Sequence, residues 1–361
     1  MAGASKVISA DSHILEPPDL WLKHIDPKFR DRAPHVEHRD GIDVFVCDDV
    51  QLVPIAPASS AGNKSISART KGRWEEVVRK GAYDPHERMK DMQLDGLEGE
   101  VIYPTQALRM FAIKDPALQR AVFGAYHTWV ANFCNTYASK LKGIALISLA
   151  DVEEAVMEMR RVRKLGLVGL MVSVQPEGAT YSGPAYDRFW ATAQELDMPV
   201  SLHIATNATG MRSLMADIST RSHWAQWSIA DLIFNGVPAR FPDIKLISAE
   251  NDAGWAPALM LRMDEVFNLQ RSTQEFYIKD KGLRPSEYFR RNVYLSFMYD
   301  PPAIFARELI GTRHLLWSSD YPHKETTFPH SQKFIGELFS SIPEQERQLI
   351  TYENAVRLFG F

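Results

Sequence analysis

Short apolar runs alternate along this chain with longer stretches in which apolar residues recur every three or four positions. The runs lie at 6–13, 99–105, 143–149, 167–174, 199–203, 245–250, 292–297 and 314–320. Near-continuous apolar segments of this length suit parallel strands buried on both faces. Amphipathic helical patterns occupy 117–137, 151–164, 185–196, 224–235 and 257–269. Asp151 heads the second of these as an N-cap, with acidic residues in the first turn and basic ones in the last, as the helix dipole prefers. Eight strands alternating with helices predict an α/β fold, a (β/α)8 TIM barrel, for which about 250 residues is typical. The surplus in this 361-residue chain has two places. One is a polar, charged insertion after the first strand, 24–83, with a small β-hairpin expected at 43–55 and a Ser/Gly/Ala-rich loop at 56–71. The other is a C-terminal extension, 343–361, expected as two short helices packed on the outside. The whole of 1–361 reads as one barrel domain.

Composition narrows the class. Apolar residues make up 45% and charged residues 24%, and the formal net charge is −4. That gives no electrostatic footprint for nucleic acid. No apolar run approaches the roughly 20 residues needed to span a bilayer. The N-terminal residues Met-Ala-Gly-Ala-Ser-Lys show no signal-peptide core, so a soluble cytoplasmic protein is expected. Cys47 and Cys134 are the only cysteines, too few for a disulfide framework and without a CxxC partner. There is no Gly-x-Gly-x-x-Gly fingerprint, phosphate loop or Gly-x-Ser-x-Gly elbow.

Barrel enzymes place their chemistry at the C-terminal ends of the strands. The first strand ends in Asp11-Ser12-His13, and residues i and i+2 of a strand point to the same side. The fifth strand ends in His203, the sixth in Glu250 and the eighth in Asp320. Carboxylate oxygen and imidazole nitrogen are ordinary ligands of zinc, iron or manganese. Asp11, His13, His203, Glu250 and Asp320 are therefore the expected metal ligands. Glu250 has a second reading, in which it orients another ligand. A single histidine at a strand end is more often structural than a ligand; five donors at four tips point to a metal. Just beyond the first and last strands lie Glu16 and His323, which neighbour each other in a closed barrel. They could form a second metal site; in the simpler reading, favoured here, Glu16 hydrogen-bonds a ligand and His323 lines the pocket.

The residues Asp11-Ser12-His13-Ile14-Leu15-Glu16-Pro17, Ser201-Leu202-His203, Trp317-Ser318-Ser319-Asp320-Tyr321-Pro322-His323 and Asn354-Ala355-Val356-Arg357-Leu358-Phe359-Gly360 carry a resemblance. Across almost its whole length the chain resembles the amidohydrolase superfamily, in the branch of 2-amino-3-carboxymuconate-semialdehyde decarboxylase and its relatives. The resemblance implies a divalent metal held by Asp11, His13, His203 and Asp320, and it favours a homodimer or a dimer with a related subunit. The departure is at strand six. Many relatives place a histidine there, whereas this chain has Ser248-Ala249-Glu250-Asn251-Asp252. A glutamate can ligate or act as a base but cannot be a cationic acid. The catalytic candidates are then Asp320, Glu250 and His223, the last at the start of a helix.

A cation with an open position can polarise a carbonyl or carboxylate oxygen, or lower the pKa of a bound water toward ~7. The expected function is a metal-dependent lyase (a carboxy-lyase) or a hydrolase acting on a small carboxylated, aromatic or unsaturated substrate, with zinc as the leading metal. One alternative is a dinuclear iron or manganese oxygenase on the same barrel. Another is a catalytically silent partner subunit of a related enzyme. Arg73, Arg212 and Lys324 are candidate anion partners, but each reads more simply as a surface charge.

Overall fold

The computed structural model describes residues 6–48, 50, 52–67, 69–175, 180–206 and 214–361. Eight parallel strands form one sheet in the order β1 (Ile8–His13), β4 (Gly99–Tyr103), β5 (Leu141–Leu146), β6 (Gly169–Ser173), β7 (Val200–His203), β8 (Leu246–Ala249), β9 (Val293–Phe297) and β10 (Leu315–Trp317). The two outer strands meet as well. The Ser319 amide donates to the Ser9 hydroxyl, and the Asp320 amide donates to the Asp11 carbonyl. This is the expected (β/α)8 barrel. Nearly every strand residue is buried, which is why the runs are continuously apolar rather than alternating.

Helices cover the outside of the sheet where the 3.6-residue pattern placed them, at Pro116–Asn135, Val152–Lys164, Asp187–Glu195, His223–Phe234 and Ala256–Gln270. The Asp151 carboxylate caps its helix by accepting from the amides of Glu153 and Glu154. Pro85–Asp95, Pro285–Asn292 and Ser331–Leu338 are further helices, too short or too polar for their periodicity to stand out. No helix among the described residues is long and apolar enough to cross a membrane. Both cysteines are buried and unpaired.

One expectation needs correcting. The hairpin lies at β2 (His35–Arg39) and β3 (Ile42–Val46), not at 43–55. Asp40 and Gly41 both have positive φ, 53° and 81°, as a two-residue turn between twisted strands requires; Asp-Gly was the local signal. The C-terminal extension has the two short helices expected, and the structure adds where they pack. It runs as Glu344–Gln348, a wider turn at Leu349–Glu353, and Asn354–Phe359. Asn354 donates to the carbonyls of Thr312 and Leu315. A side chain at Gly99, where β4 begins, would run into the ring of Phe361. The extension thus packs at the strands' N-terminal ends, opposite the tips.

The segment between β1 and β4 is stitched to those tips. Val53 and the Gln106 side chain exchange two hydrogen bonds, 3.1 and 2.8 Å. The Ala61 amide donates to the Pro322 carbonyl, and the Lys324 amide donates to the Pro57 carbonyl.

Candidate metal centre

Asp11 and His13 leave the end of β1 on one side, and His203 ends β7. The backbone turns left-handed at Glu250 and Asp320, each with φ 56°. Such a kink is uncommon for a residue with a side chain and clusters at functional sites. Here it follows the last residues of β8 and β10, where Glu250 and Asp320 join the other donors. His13 Nε2 lies 3.4 Å from Asp11 Oδ1, 3.4 Å from Asp320 Oδ1 and 3.6 Å from Glu250 Oε2. His203 Nε2 lies 3.5 Å from Asp11 Oδ1 and 3.6 Å from Glu250 Oε2. Two donors held at about 2.1 Å from one ion lie roughly 3.4–3.6 Å apart at tetrahedral or slightly wider angles. The spacings are those of ligands around a common centre.

Four of these atoms, Asp11 Oδ1, His13 Nε2, His203 Nε2 and Asp320 Oδ1, are buried without a hydrogen-bond partner. Unsatisfied buried polar atoms are expensive, so four facing one another fit a cation. The other edge of each ligand is fixed. Nδ1 of His13 donates to the Pro104 carbonyl at 2.7 Å, and Nδ1 of His203 donates to the Ile204 carbonyl at 2.8 Å. Since a carbonyl only accepts, both imidazoles present a bare Nε2 inward when neutral. The Ser296 hydroxyl accepts from the Glu250 amide at 2.9 Å and donates to Asp11 Oδ2 at 3.1 Å. One hydroxyl therefore orients two donors. The Ser296→Ala variant should bind its metal about 10–100-fold more weakly with an unchanged fold, as read by metal titration beside circular dichroism.

The electrostatics call for positive charge. Burial pushes the Asp11 carboxyl upward, but His203 and His13 outweigh that and hold it well below the usual range. Burial likewise opposes ionisation of Glu250, yet His13, His203 and Arg221 bring it down to about 2. His13 is driven well above its ordinary value by Asp11, Glu250 and Asp320, despite burial that lowers it. Asp320 moves the other way: burial first, then the charge of Glu250, raise its carboxyl. A divalent ion would take the place of the proton on His13, as metal sites do when they load.

The remaining candidates separate. His323 is at the rim, with Nδ1 2.9 Å from Asp320 Oδ1, Nε2 3.0 Å from the Thr105 hydroxyl and its ring 4.1 Å from that of His13. Together with His13, Glu250 and Asp320 it forms a second, overlapping group of possible ligands. Glu16 is not brought there. Its carboxylate accepts from the amides of Thr105, Gln106 and Ala107 at 3.3, 2.9 and 3.0 Å, which caps the turn Gln106–Ala112 and spends both oxygens. The Glu16→Ala variant should lose about 2–4 kcal/mol, since three amides lose their acceptor; thermal melts of the metal-free protein would read this.

His223 is exposed and packs its ring 4.1 Å from Trp224. It makes no contact with the cluster, because the helix that it begins turns it outward. Two residues earlier, Arg221 does reach in, 3.5 Å from Glu250 Oε1. Arg109 extends from the turn after β4 to donate to the Ala205 carbonyl, just past His203. Arg73 pairs with Asp43 away from the tips, and Lys324 lies on the loop after β10. Arg212 lies outside the described residues. The reading of the sequence missed Ser296, Arg221 and Arg109. Only Ser296 had a local signal, its place near the end of an apolar run.

Residues 84–361 match the protein-family model described as Amidohydrolase. Gamma-resorcylate decarboxylase of Polaromonas sp. is 25% identical over 290 residues, covering 75% of this chain and 86% of that protein. Among solved structures, an amidohydrolase of Mycobacterium avium subsp. paratuberculosis superposes with a TM-score of 0.81 at 22% identity, covering 99% of this chain and 100% of that one. A dihydroxybenzoic acid decarboxylase of Polaromonas sp., solved with bound manganese and the inhibitor 2-nitroresorcinol, gives a TM-score of 0.68 at 19% identity, covering 99% and 97%.

Proposed function

Since the chain belongs to the amidohydrolase family, we propose that it is a metal-dependent carboxy-lyase that removes carbon dioxide from a small hydroxylated aromatic acid. The observation that carries this reading is the convergence of Asp11 Oδ1, His13 Nε2, His203 Nε2 and Asp320 Oδ1, buried and without partners, in a chain similar to a decarboxylase. These four are the proposed metal ligands, with Glu250 beside them. The sequence favoured zinc. Three carboxylates with two imidazoles make an oxygen-rich set that also suits manganese, the ion bound in one structural neighbour, so manganese is the first to test.

A divalent ion bound there would polarise a substrate oxygen and stabilise the negative charge that develops there. Asp320 is the proposed acid. With His323 Nδ1 2.9 Å from Asp320 Oδ1 to supply it, a proton passes from Asp320 to the ring carbon bearing the carboxylate. The bond from that carbon to the carboxylate then breaks, its electron pair restores the aromatic ring, and carbon dioxide leaves. His323, between Asp320 and the Thr105 hydroxyl, returns a proton to Asp320 from the rim. Asp11 stays ionised and holds its place through Ser296.

The test is carbon dioxide release from gamma-resorcylate and other hydroxybenzoates by manganese-loaded protein. Release should stop on exhaustive chelation and return with added manganese. Activity that survives full metal removal, or the absence of carbon dioxide from every acid in the series, would sink the reading.

A further inference from the structure

The two carboxylate oxygens of Glu250 look in opposite directions. Oε2 lies 3.6 Å from Nε2 of both His13 and His203, while Oε1 lies 3.5 Å from Arg221 Nη1. Among the inward-facing donors Glu250 has the easiest exit, its side chain being 17% exposed against 0–5% for Asp11, His13, His203 and Asp320. The charges of Asp11 and Asp320 push it toward that exit. Its backbone amide is anchored to Ser296, but among the described residues no backbone group hydrogen-bonds the outer half of the carboxylate. Arg221 stands there. Its side chain is 20% exposed, and it also lies 3.7 Å from Asp252 and 3.7 Å from Glu325. These distances are those of charge attraction rather than of formed hydrogen bonds. They place one guanidinium over three acidic groups, with the metal-facing Glu250 nearest.

We propose that Arg221 is a positioning residue that fixes the outer oxygen of Glu250 and so keeps Oε2 facing His13 and His203 as a fifth donor, so that a six-coordinate cation would keep one position open instead of two. This rests on the metal reading above.

The experiment is manganese titration of metal-stripped protein. Free manganese is followed by electron paramagnetic resonance, and exchangeable waters on the bound ion are counted by proton relaxation. The wild type should show one such water. Glu250→Gln and Arg221→Gln should each weaken binding about 10–100-fold and show two. The double variant should bind no more weakly than Glu250→Gln alone, because both changes remove one interaction, and Arg221→Lys should recover part of the loss. Glu250→Gln with wild-type affinity and one water would overturn the proposal, as would losses from the two single variants that simply add. If an Arg221 variant fails to fold, the water count of Glu250→Gln still decides. A protein that behaves as expected here but releases no carbon dioxide would keep this proposal and lose only the decarboxylase reading. A wild type that binds no manganese would end both.

Discussion

Replacing His203 with alanine should abolish turnover and, in the same protein, abolish the effect of a chelator on thermal stability. Its Nε2 lies within 3.6 Å of both Asp11 and Glu250, and its Nδ1 is already committed to the Ile204 carbonyl. Without the ring, the site keeps its carboxylates and loses one of its two neutral donors. Metal affinity should fall at least about 100-fold, the upper end of what even an indirect partner contributes. The metal's charge stabilisation is worth several kcal/mol, so carbon dioxide release should fall by about 10³-fold or more. A ligand that binds only the folded state raises its stability by mass action. Chelation should therefore lower the melting temperature of the wild type, where Asp11, Glu250 and Asp320 are left to repel one another. It should leave that of His203→Ala almost unchanged. If the variant retained stoichiometric metal and responded to chelator like the wild type, the imidazole would not be a ligand.

The largest stability loss outside the cluster should come from Arg88→Met. The Arg88 and Glu100 side chains are fully buried, 0% and 1% exposed, with Nε 2.5 Å from Oε2. Arg88 Nη1 also donates to the carbonyls of His13 and Gly81, and the guanidinium stacks 4.2 Å over the Tyr321 ring. Glu100 Oε1 accepts from Ser12. The network ties the end of β1 and the start of β4 to the loop after β10, beneath the cluster of buried donors. Removing one partner of a buried pair leaves an uncompensated charge, at about 3–5 kcal/mol. For a chain of this length that is a fall of roughly 5 °C in melting temperature. The double variant Arg88→Met/Glu100→Leu should recover much of it, because well-packed apolar side chains often replace a buried ion pair without loss. A single variant that melts with the wild type would show that Glu100 finds another partner.

The barrel was legible because its signal is local. A strand buried on both faces reads as one apolar run wherever it lies, and a donor at the end of such a run can be placed at a tip without knowing its neighbours. Asp11, His13, His203, Glu250 and Asp320 were found that way. What the chain order hides is who meets whom. Glu16 was placed near the centre because the loops after neighbouring strands can meet, with hydrogen bonding to a ligand favoured over a second metal site; instead three amides of the turn after β4 claim it. His223 and Arg221 sit two residues apart at the start of one helix, and only the direction of that helix decides which turns inward. Ser296 acts through partners 46 and 285 positions away, and Arg88 reaches from Gly81, 7 positions away, to Tyr321, 233 positions away, combinations that no single periodicity encodes. The hairpin was misplaced because the segment's polarity masked the Asp40-Gly41 pair.

Ala205, Glu250, Asp252 and Asp320 all carry left-handed backbone, φ 56° to 64°. L-residues with branched Cβ atoms pay most for that conformation, whereas glycine, asparagine, aspartate and histidine occupy it most readily. Saturation libraries at these four positions should therefore yield folded clones skewed toward that short polar alphabet and poor in valine, isoleucine and threonine. An engineer re-tooling this centre for another reaction inherits a restricted palette, set by main-chain torsion before any chemistry is chosen.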